Sequence, residues 1–256
     1  MPVKFIILGS GSSMGVPRAD GYAGKCNLKN KKNLRTRCSA LIKFNNTNIL
    51  IDTSPDLRQQ MISNNINTIS KIFYTHKHGD QTHGINDLRA FFLNKKIPIY
   101  ADKETSKYLY STFKYCFTST KFYPTMLSLN KLKKKHIFHK NGQKISIKTF
   151  PVQHGSIDSN CYIINNKLAY ASDVSLIYQK DLKKFLAIDY LIIDCLWNRD
   201  FTFAHLNLNK VIDLVKIIKP KKTILTNMST DLDFDQLKKK LPKNIVPGYD
   251  GMTVNL

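Results

Sequence analysis

Five short apolar runs in this chain each break into a residue with hydrogen-bonding or metal-ligand chemistry, and this constrains the fold more than any other feature. Ile49-Leu-Ile51 leads to Asp52, and Ile72-Phe-Tyr74 to Thr75-His76. Leu168-Ala-Tyr170 leads to Ala-Ser-Asp173, Tyr190-Leu-Ile-Ile193 to Asp194, and Thr223-Ile-Leu225 to Thr226-Asn227. Each run has strand length and is dense in branched or aromatic residues. Strands that deliver polar residues at their ends describe one site on the edge of a sheet. Further strands are expected at 3–8, 39–44, 144–150 and 161–164.

Helical patterns fall between the strands. Pro55 to Asn65 follows a Ser54 cap, while 88–93 and 103–115 are amphipathic. Asn207 to Ile218 carries apolar residues at 208, 211, 212, 214, 215 and 218, and 234–241 is short. The count favours an α/β fold with two sheets covered by helices. No linker or repeat divides the sequence, so residues 1–256 are read as a single domain.

The segment Thr75-His-Lys-His-Gly-Asp-Gln-Thr-His-Gly84 carries the chemistry. His76, His78 and Asp80 put three ionisable groups on one short loop, where a core would not hold them without a partner. Imidazole nitrogens and a carboxylate oxygen are ligands that zinc and similar divalent cations accept.

Composition narrows the alternatives. No apolar run reaches the roughly 20 residues a membrane helix needs, and the N-terminal stretch shows no cleavable signal arrangement, so a cytoplasmic protein without a membrane partner is expected. The five cysteines are odd in number, widely spaced and without a Cys-x-x-Cys pair, which predicts reduced, mostly buried thiols. The net charge of +22 is compatible with nucleic acid but does not favour it, because lysine is spread through the whole chain. Its dense cluster, Lys131 to His136, reads as a solvated face or loop. Arginine is scarce, with six residues, and Arg35, Arg37 and Arg89 are expected where a planar fork meets phosphate or a buried carboxylate.

In order, Asp52, His76-x-His78-x-Asp80-Gln81, His154, Asp173 and position 227 resemble the metallo-β-lactamase superfamily. Leu8-Gly-Ser-Gly-Ser-Ser-Met-Gly-Val-Pro-Arg18, Arg35-Thr-Arg-Cys-Ser39, Asp52-Thr-Ser-Pro-Asp-Leu-Arg58 and Pro247-Gly-Tyr-Asp-Gly251 are similar to the branch containing the phosphoribosyl cyclic phosphodiesterase of phosphonate breakdown. The resemblance implies a four-layer αβ/βα sandwich, two mixed sheets flanked by helices. It implies one metal held by His76, His78, His154 and Asp173, with Asp52 and Asp194 supporting the site through hydrogen bonds. It also implies hydrolysis of a small or cyclic phosphodiester, with His205 and Asp80 as catalytic groups. Ser12, Arg35, Arg37 and His83 are the expected substrate contacts.

The sequence departs from the family at the second metal, where Gln81 and Asn227 stand in place of histidines. That position is expected to be empty, weak, or filled by Mn²⁺ or Mg²⁺, while the first holds zinc or manganese tightly. The branch's cysteine-rich zinc insert is not evident, so no structural zinc is expected. Two further functional readings stay open: an RNA-processing nuclease of the same fold, and a non-catalytic or nucleotide-binding relative. A homodimer is also left open.

Overall fold

The computed structural model describes residues 3–256 apart from Asn94, Tyr123, Ala187, Phe201 and Thr202. The first half of the chain lays down β1 (Lys4–Gly9), β2 (Ser39–Phe44), β3 (Thr47–Ile51), β4 (Lys71–Phe73), β5 (Ile97–Ala101) and β6 (Leu127–Lys131). The second half lays down β7 (Lys135–Lys140), β8 (Gln143–His154), β9 (Ile157–Ile164), β10 (Leu168–Ala171), β11 (Tyr190–Asp194), β12 (Lys222–Thr226) and β13 (Ile245–Pro247). A last strand, β14 (Thr253–Asn255), returns to pair antiparallel with β1. The result is two seven-stranded mixed sheets, ordered β14-β1-β2-β3-β4-β5-β6 and β13-β12-β11-β10-β9-β8-β7.

Alternation along each strand sorts side chains between layers. Phe5 and Ile7 of β1 point into the space between the sheets, where they meet Tyr162, Tyr170, Ile192 and Ile224 of the other sheet. Ile6 and Leu8 point outward, into a second core covered by α1 (Leu57–Ser63) and α3 (Lys103–Thr112). A third core lies on the far side of the second sheet beneath α6 (Leu208–Ile218) and α7 (Phe234–Lys240). Both faces of each sheet are therefore covered, and β3 and β10 are buried along their full length. The four-layer αβ/βα sandwich follows.

Helix boundaries follow the local chemistry. Asn207, Asp233 and Asp102 each accept a backbone N–H of the first turn and cap α6, α7 and α3. Ser54 does not cap α1; its Oγ takes the Asp56 N–H at 3.1 Å and tightens the turn before the helix. The amphipathic stretch expected at 88–93 belongs to a 3₁₀ helix over His83–Phe91, and the expected 103–115 helix breaks at Phe113.

The lysine cluster at 131–136 is the solvated turn between β6 and β7, with Lys131, Lys133, Lys134 and Lys135 exposed, while His136 turns inward against Phe73, Tyr100 and Phe138. β5, β6, β7, β13 and β14 are not among the expected strands; four of them are sheet edges and β5 lies next to one. All five cysteines are free and buried. Among the described residues no helix is long and apolar enough to cross a membrane.

The sheet registers position the site. β3 pairs parallel with β4, and β10, β11 and β12 run parallel, with Ala171 beside Ile193 and Asp194 beside Thr226. Their carboxyl ends thus arrive level with one another, as ligand-bearing edges of parallel sheets do. The site is built on the edges of both sheets rather than one.

Candidate metal centre

Past the end of β4 the chain leaves the sheet at Tyr74, so His76 and His78 sit on a loop rather than a strand. The loop closes into the single turn α2 (Gly79–Thr82). His154 ends β8, and the turn behind it uses Gly155 at φ +59°, a conformation that suits glycine. These two segments, one from each sheet, bring three imidazoles together. His76 Nε2 lies 2.9 Å from His78 Nδ1, and His154 Nε2 lies 3.2 Å from the same atom.

The tautomers are set by the groups behind each ring. His154 Nδ1 is 2.7 Å from the Ala204 carbonyl, which only accepts, so the proton sits on Nδ1 and a lone pair on Nε2 faces inward. His76 Nδ1 is 3.0 Å from Thr75 Oγ1, which also reaches Asp52 Oδ2 at 2.8 Å. Donating to the carboxylate, this hydroxyl accepts from His76 Nδ1 and leaves Nε2 free. Asp52 also takes the Thr75 N–H at 2.8 Å. Burial pushes its carboxyl well above the usual range, and the two Thr75 bonds pull it back. It adopts φ +63°, local strain of the kind found at functional sites.

The donor set fits a divalent cation. Zinc–nitrogen bonds of about 2.0–2.1 Å in tetrahedral geometry place neighbouring nitrogens roughly 3.4 Å apart, close to the spacing of these three rings. Burial lowers the His76 pKa to about 3 and lowers that of His78, so both rings are neutral and offer lone pairs. Asp173, 2 % exposed, supplies the carboxylate. Burial works against its ionisation, but His76, His154 and His205 outweigh that and hold its pKa below the usual range. One ligand atom each from His154, Asp173 and His205 lies within 4.8 Å of the others, as do those of His76, His78 and His154.

His205 faces this cluster with its ring centroid 4.8 Å from that of His154. Its Nδ1 is 2.7 Å from Asp194 Oδ2, which also takes the Val174 N–H at 3.0 Å. Burial alone would lower its pKa, but the Asp194 carboxylate overrides this and raises it to about 9. Burial also pushes Asp194 up to about 6, still ionised at neutral pH. Asp80 is pushed up to about 6, by burial first and then by Asp173.

The second metal position does not fit an ion in the same way. Asn227 Nδ2 lies 2.8 Å from the Ser172 carbonyl and 3.0 Å from Asp173 Oδ1. These two partners only accept and are nearer than the third, His205 Nδ1 at 3.3 Å, so the amide turns its N–H groups toward them. Gln81 Nε2 lies 3.1 Å from Asp80 Oδ2 and 3.2 Å from Asp173 Oδ2, and its Oε1 is buried without a partner. Amide N–H donors, rather than the amide oxygens that Mn²⁺ or Mg²⁺ would accept, face the position.

The expected substrate contacts divide. Ser12 is buried, its N–H bonding the Met228 carbonyl at 3.2 Å, one residue beyond Asn227. Arg35, 2 % exposed, is turned into the protein, bonding Leu232 O at 2.7 Å and Asn33 Oδ1 at 3.0 Å; it braces two loops and meets no carboxylate. Arg37 is held by Asp56 at 2.9 Å and by the Ser13 carbonyl. Arg89 is exposed. His83 is exposed outside the cluster, bonded to Tyr108 at 3.0 Å and packed on Phe113. Sequence reasoning missed Thr75, Ser172 and the Ala204 carbonyl. Thr75 was readable as the residue between a strand and its first ligand, whereas a backbone carbonyl leaves no sequence signal.

This fold and this cluster define a metallo-β-lactamase-fold hydrolase. The sequence matches the Beta-lactamase superfamily domain over residues 47–228, and the chain belongs to that superfamily. A solved diphosphatase from the PhnP family superposes with a TM-score of 0.89 at 27 % identity, covering 100 % of this chain and 98 % of that one, consistent with a PhnP-like branch. Zinc-bound PqqB from Methylobacterium extorquens, 16 % identical, shares the fold with a TM-score of 0.77 over 99 % of this chain and 100 % of its own. An octanoyltransferase of Porphyromonas gingivalis is 27 % identical over 98 % of this chain and 51 % of its own length. A ribonuclease Z of Saccharolobus islandicus is 29 % identical over 50 % of this chain and 42 % of its own. The chain thus spans about half the length, or less, of these curated relatives.

Proposed function

We propose that the chain is a metal-dependent phosphodiesterase acting on a small or cyclic phosphodiester. The observation that carries this reading is the convergence of the His76, His78 and His154 ring nitrogens, 2.9 and 3.2 Å apart, beside Asp173 and an Asp194-anchored His205. His76, His78, His154 and Asp173 would hold one divalent ion tightly, zinc or manganese, with a second weak, absent, or manganese or magnesium. Such an ion supplies Lewis-acid charge and lowers the pKa of water toward neutrality.

The protein's own groups do the rest. Water oxygen bonds to phosphorus as the bond to the leaving oxygen breaks. Asp80 takes the proton of the water, and His205 delivers one to the leaving oxygen from Nε2, the ring nitrogen that Asp194 leaves free. Two cavities open beside the loop, of roughly 480 and 520 Å³, lined by Lys77, Lys107 and Tyr108 and by Lys103 and Asn160. Their size suits a small substrate, and Lys77 and Lys107 of the first suit a phosphoryl group beside Glu104, whereas the second sets Asp102, Glu104 and Asp158 against Lys77 and Lys103. The diphosphatase relationship supports the same phosphorus chemistry. Five buried, unpaired thiols support a cytoplasmic setting.

The test is turnover of bis(p-nitrophenyl) phosphate and a nucleoside 2′,3′-cyclic phosphate in Zn²⁺, Mn²⁺ and Mg²⁺, with loss of activity in His76→Ala. Binding of metal without turnover in any of the three would overturn the reading and favour a non-catalytic relative. The ribonuclease Z match favours a second reading, cleavage of RNA. RNA binding that weakens steeply with salt, together with cleavage of RNA but not of small diesters, would establish it.

A further inference from the structure

We propose that Gln81 and Asn227 replace a second cation with fixed N–H donors, so that this chain builds a one-ion centre in which the two amides position Asp173. The inference deepens the metal-centre reading above and rests on it. Asp173 has both oxygens engaged: Oδ1 by Asn227 at 3.0 Å, and Oδ2 by Ser172 Oγ at 2.7 Å and Gln81 at 3.2 Å. Gln81 also spans to Asp80 Oδ2. A single amide therefore ties together the two carboxylates that a second cation would otherwise bridge.

The orientation of these amides closes the position rather than weakening it. An amide oxygen can ligate a hard cation, but an N–H hydrogen repels one. Turning Asn227 over would set its oxygen against the Ser172 carbonyl, an acceptor facing an acceptor 2.8 Å away. Turning Gln81 over would do the same against two carboxylates. Gln81 is fully buried and leaves its Oε1 without a partner in order to keep both N–H contacts. Asn227 holds φ +58°, which asparagine tolerates better than most residues and which aims its side chain back at Asp173. Each amide hydrogen bears partial positive charge toward a buried carboxylate, so the pair supplies part of the compensation a cation would give.

The test is ion stoichiometry of the full chain, stripped, reloaded separately with Zn²⁺ and Mn²⁺, and measured by elemental analysis after gel filtration. One ion per chain is expected in both metals, and two ions in the variant Gln81→His with Asn227→His. Two ions in the unaltered chain would overturn this inference and leave the metal-centre reading standing, whereas none would overturn both. Should the double variant fail to fold, Gln81→Glu carries the test, since it exchanges the donor for a third carboxylate of the same shape. Its unfolding midpoint in chelator should fall below that of the unaltered chain, and added Mn²⁺ should reverse the difference. An unchanged midpoint in chelator would refute the positioning role.

Discussion

Replacing Thr75 with valine tests whether the groups behind His76 govern metal binding. Valine has nearly the shape of threonine, so the exchange removes one hydroxyl and little packing. That hydroxyl is fully buried and joins Asp52 Oδ2 at 2.8 Å to His76 Nδ1 at 3.0 Å. Its loss leaves two buried polar atoms without a partner, each worth about 1–3 kcal/mol, so the stripped protein should lose roughly 2–6 kcal/mol of stability. His76 also loses the acceptor that keeps its proton on Nδ1. Removing a support of this kind typically weakens metal affinity about 10–100-fold, or about 1.4–2.8 kcal/mol. Urea unfolding in chelator reads the first quantity, and competition with a chromophoric chelator reads the second. Thr75→Ser, which keeps the hydroxyl, should retain affinity within a few-fold. Equal zinc affinity in Thr75→Val and the unaltered chain would refute the claim that this hydroxyl sets the His76 ring.

Two further outcomes are expected. Gly155→Ala forces a side chain onto a residue at φ +59° and sets its Cβ about 3.1 Å from Ala204 Cβ; it should cost about 1–2 kcal/mol in unfolding experiments and weaken zinc binding by moving the carbonyl that holds His154. Burial, and secondarily Lys133, lowers the His136 pKa, and the ring accepts the Lys133 N–H at 3.0 Å in its neutral form. The unfolded chain therefore binds this proton first, and the stability His136 contributes is lost as pH falls below about 6.5. The stability difference between the unaltered chain and His136→Gln, followed by urea midpoints in chelator, should be constant above pH 7 and shrink toward pH 5; a difference that does not change would contradict the burial argument.

The parts of this molecule that were legible in its sequence are those where local pattern and chemistry coincide. Runs such as Ile49–Ile51 and Tyr190–Ile193 are apolar because both faces of the sheet are covered, and the same parallel topology brings their ends to the ligand edge. β6 and β7 escaped because they lie at sheet edges, where Leu127 and His136 are the only buried residues and neither strand shows a continuous apolar run. The order of His76, His78, His154 and Asp173 pointed to a shared site, and the structure brings these four together. Orientation was not legible. Whether Gln81 and Asn227 present oxygen or nitrogen depends on the Ser172 carbonyl and the Asp173 carboxylate, which lie 54 or more residues from each amide or arise from backbone. The scarce arginines divide for a related reason: Arg37 does meet a carboxylate, Asp56, whereas the buried Arg35 guanidinium bonds the Leu232 carbonyl and Asn33 Oδ1.

His76, His78 and Asp80 come from the half of the chain that builds one sheet, and His154, Asp173 and His205 from the half that builds the other. Each half supplies two of the four expected ligands, His76 and His78 from one and His154 and Asp173 from the other, so the full set exists only once the two have docked. A bound cation then acts as a rivet through the seam of the sandwich. It resists any sliding or splaying of one half against the other, and its release should be felt across the whole inter-sheet core rather than at one loop. Amide hydrogen exchange in β4 and β10, on opposite sides of that seam, should slow in concert when metal is added.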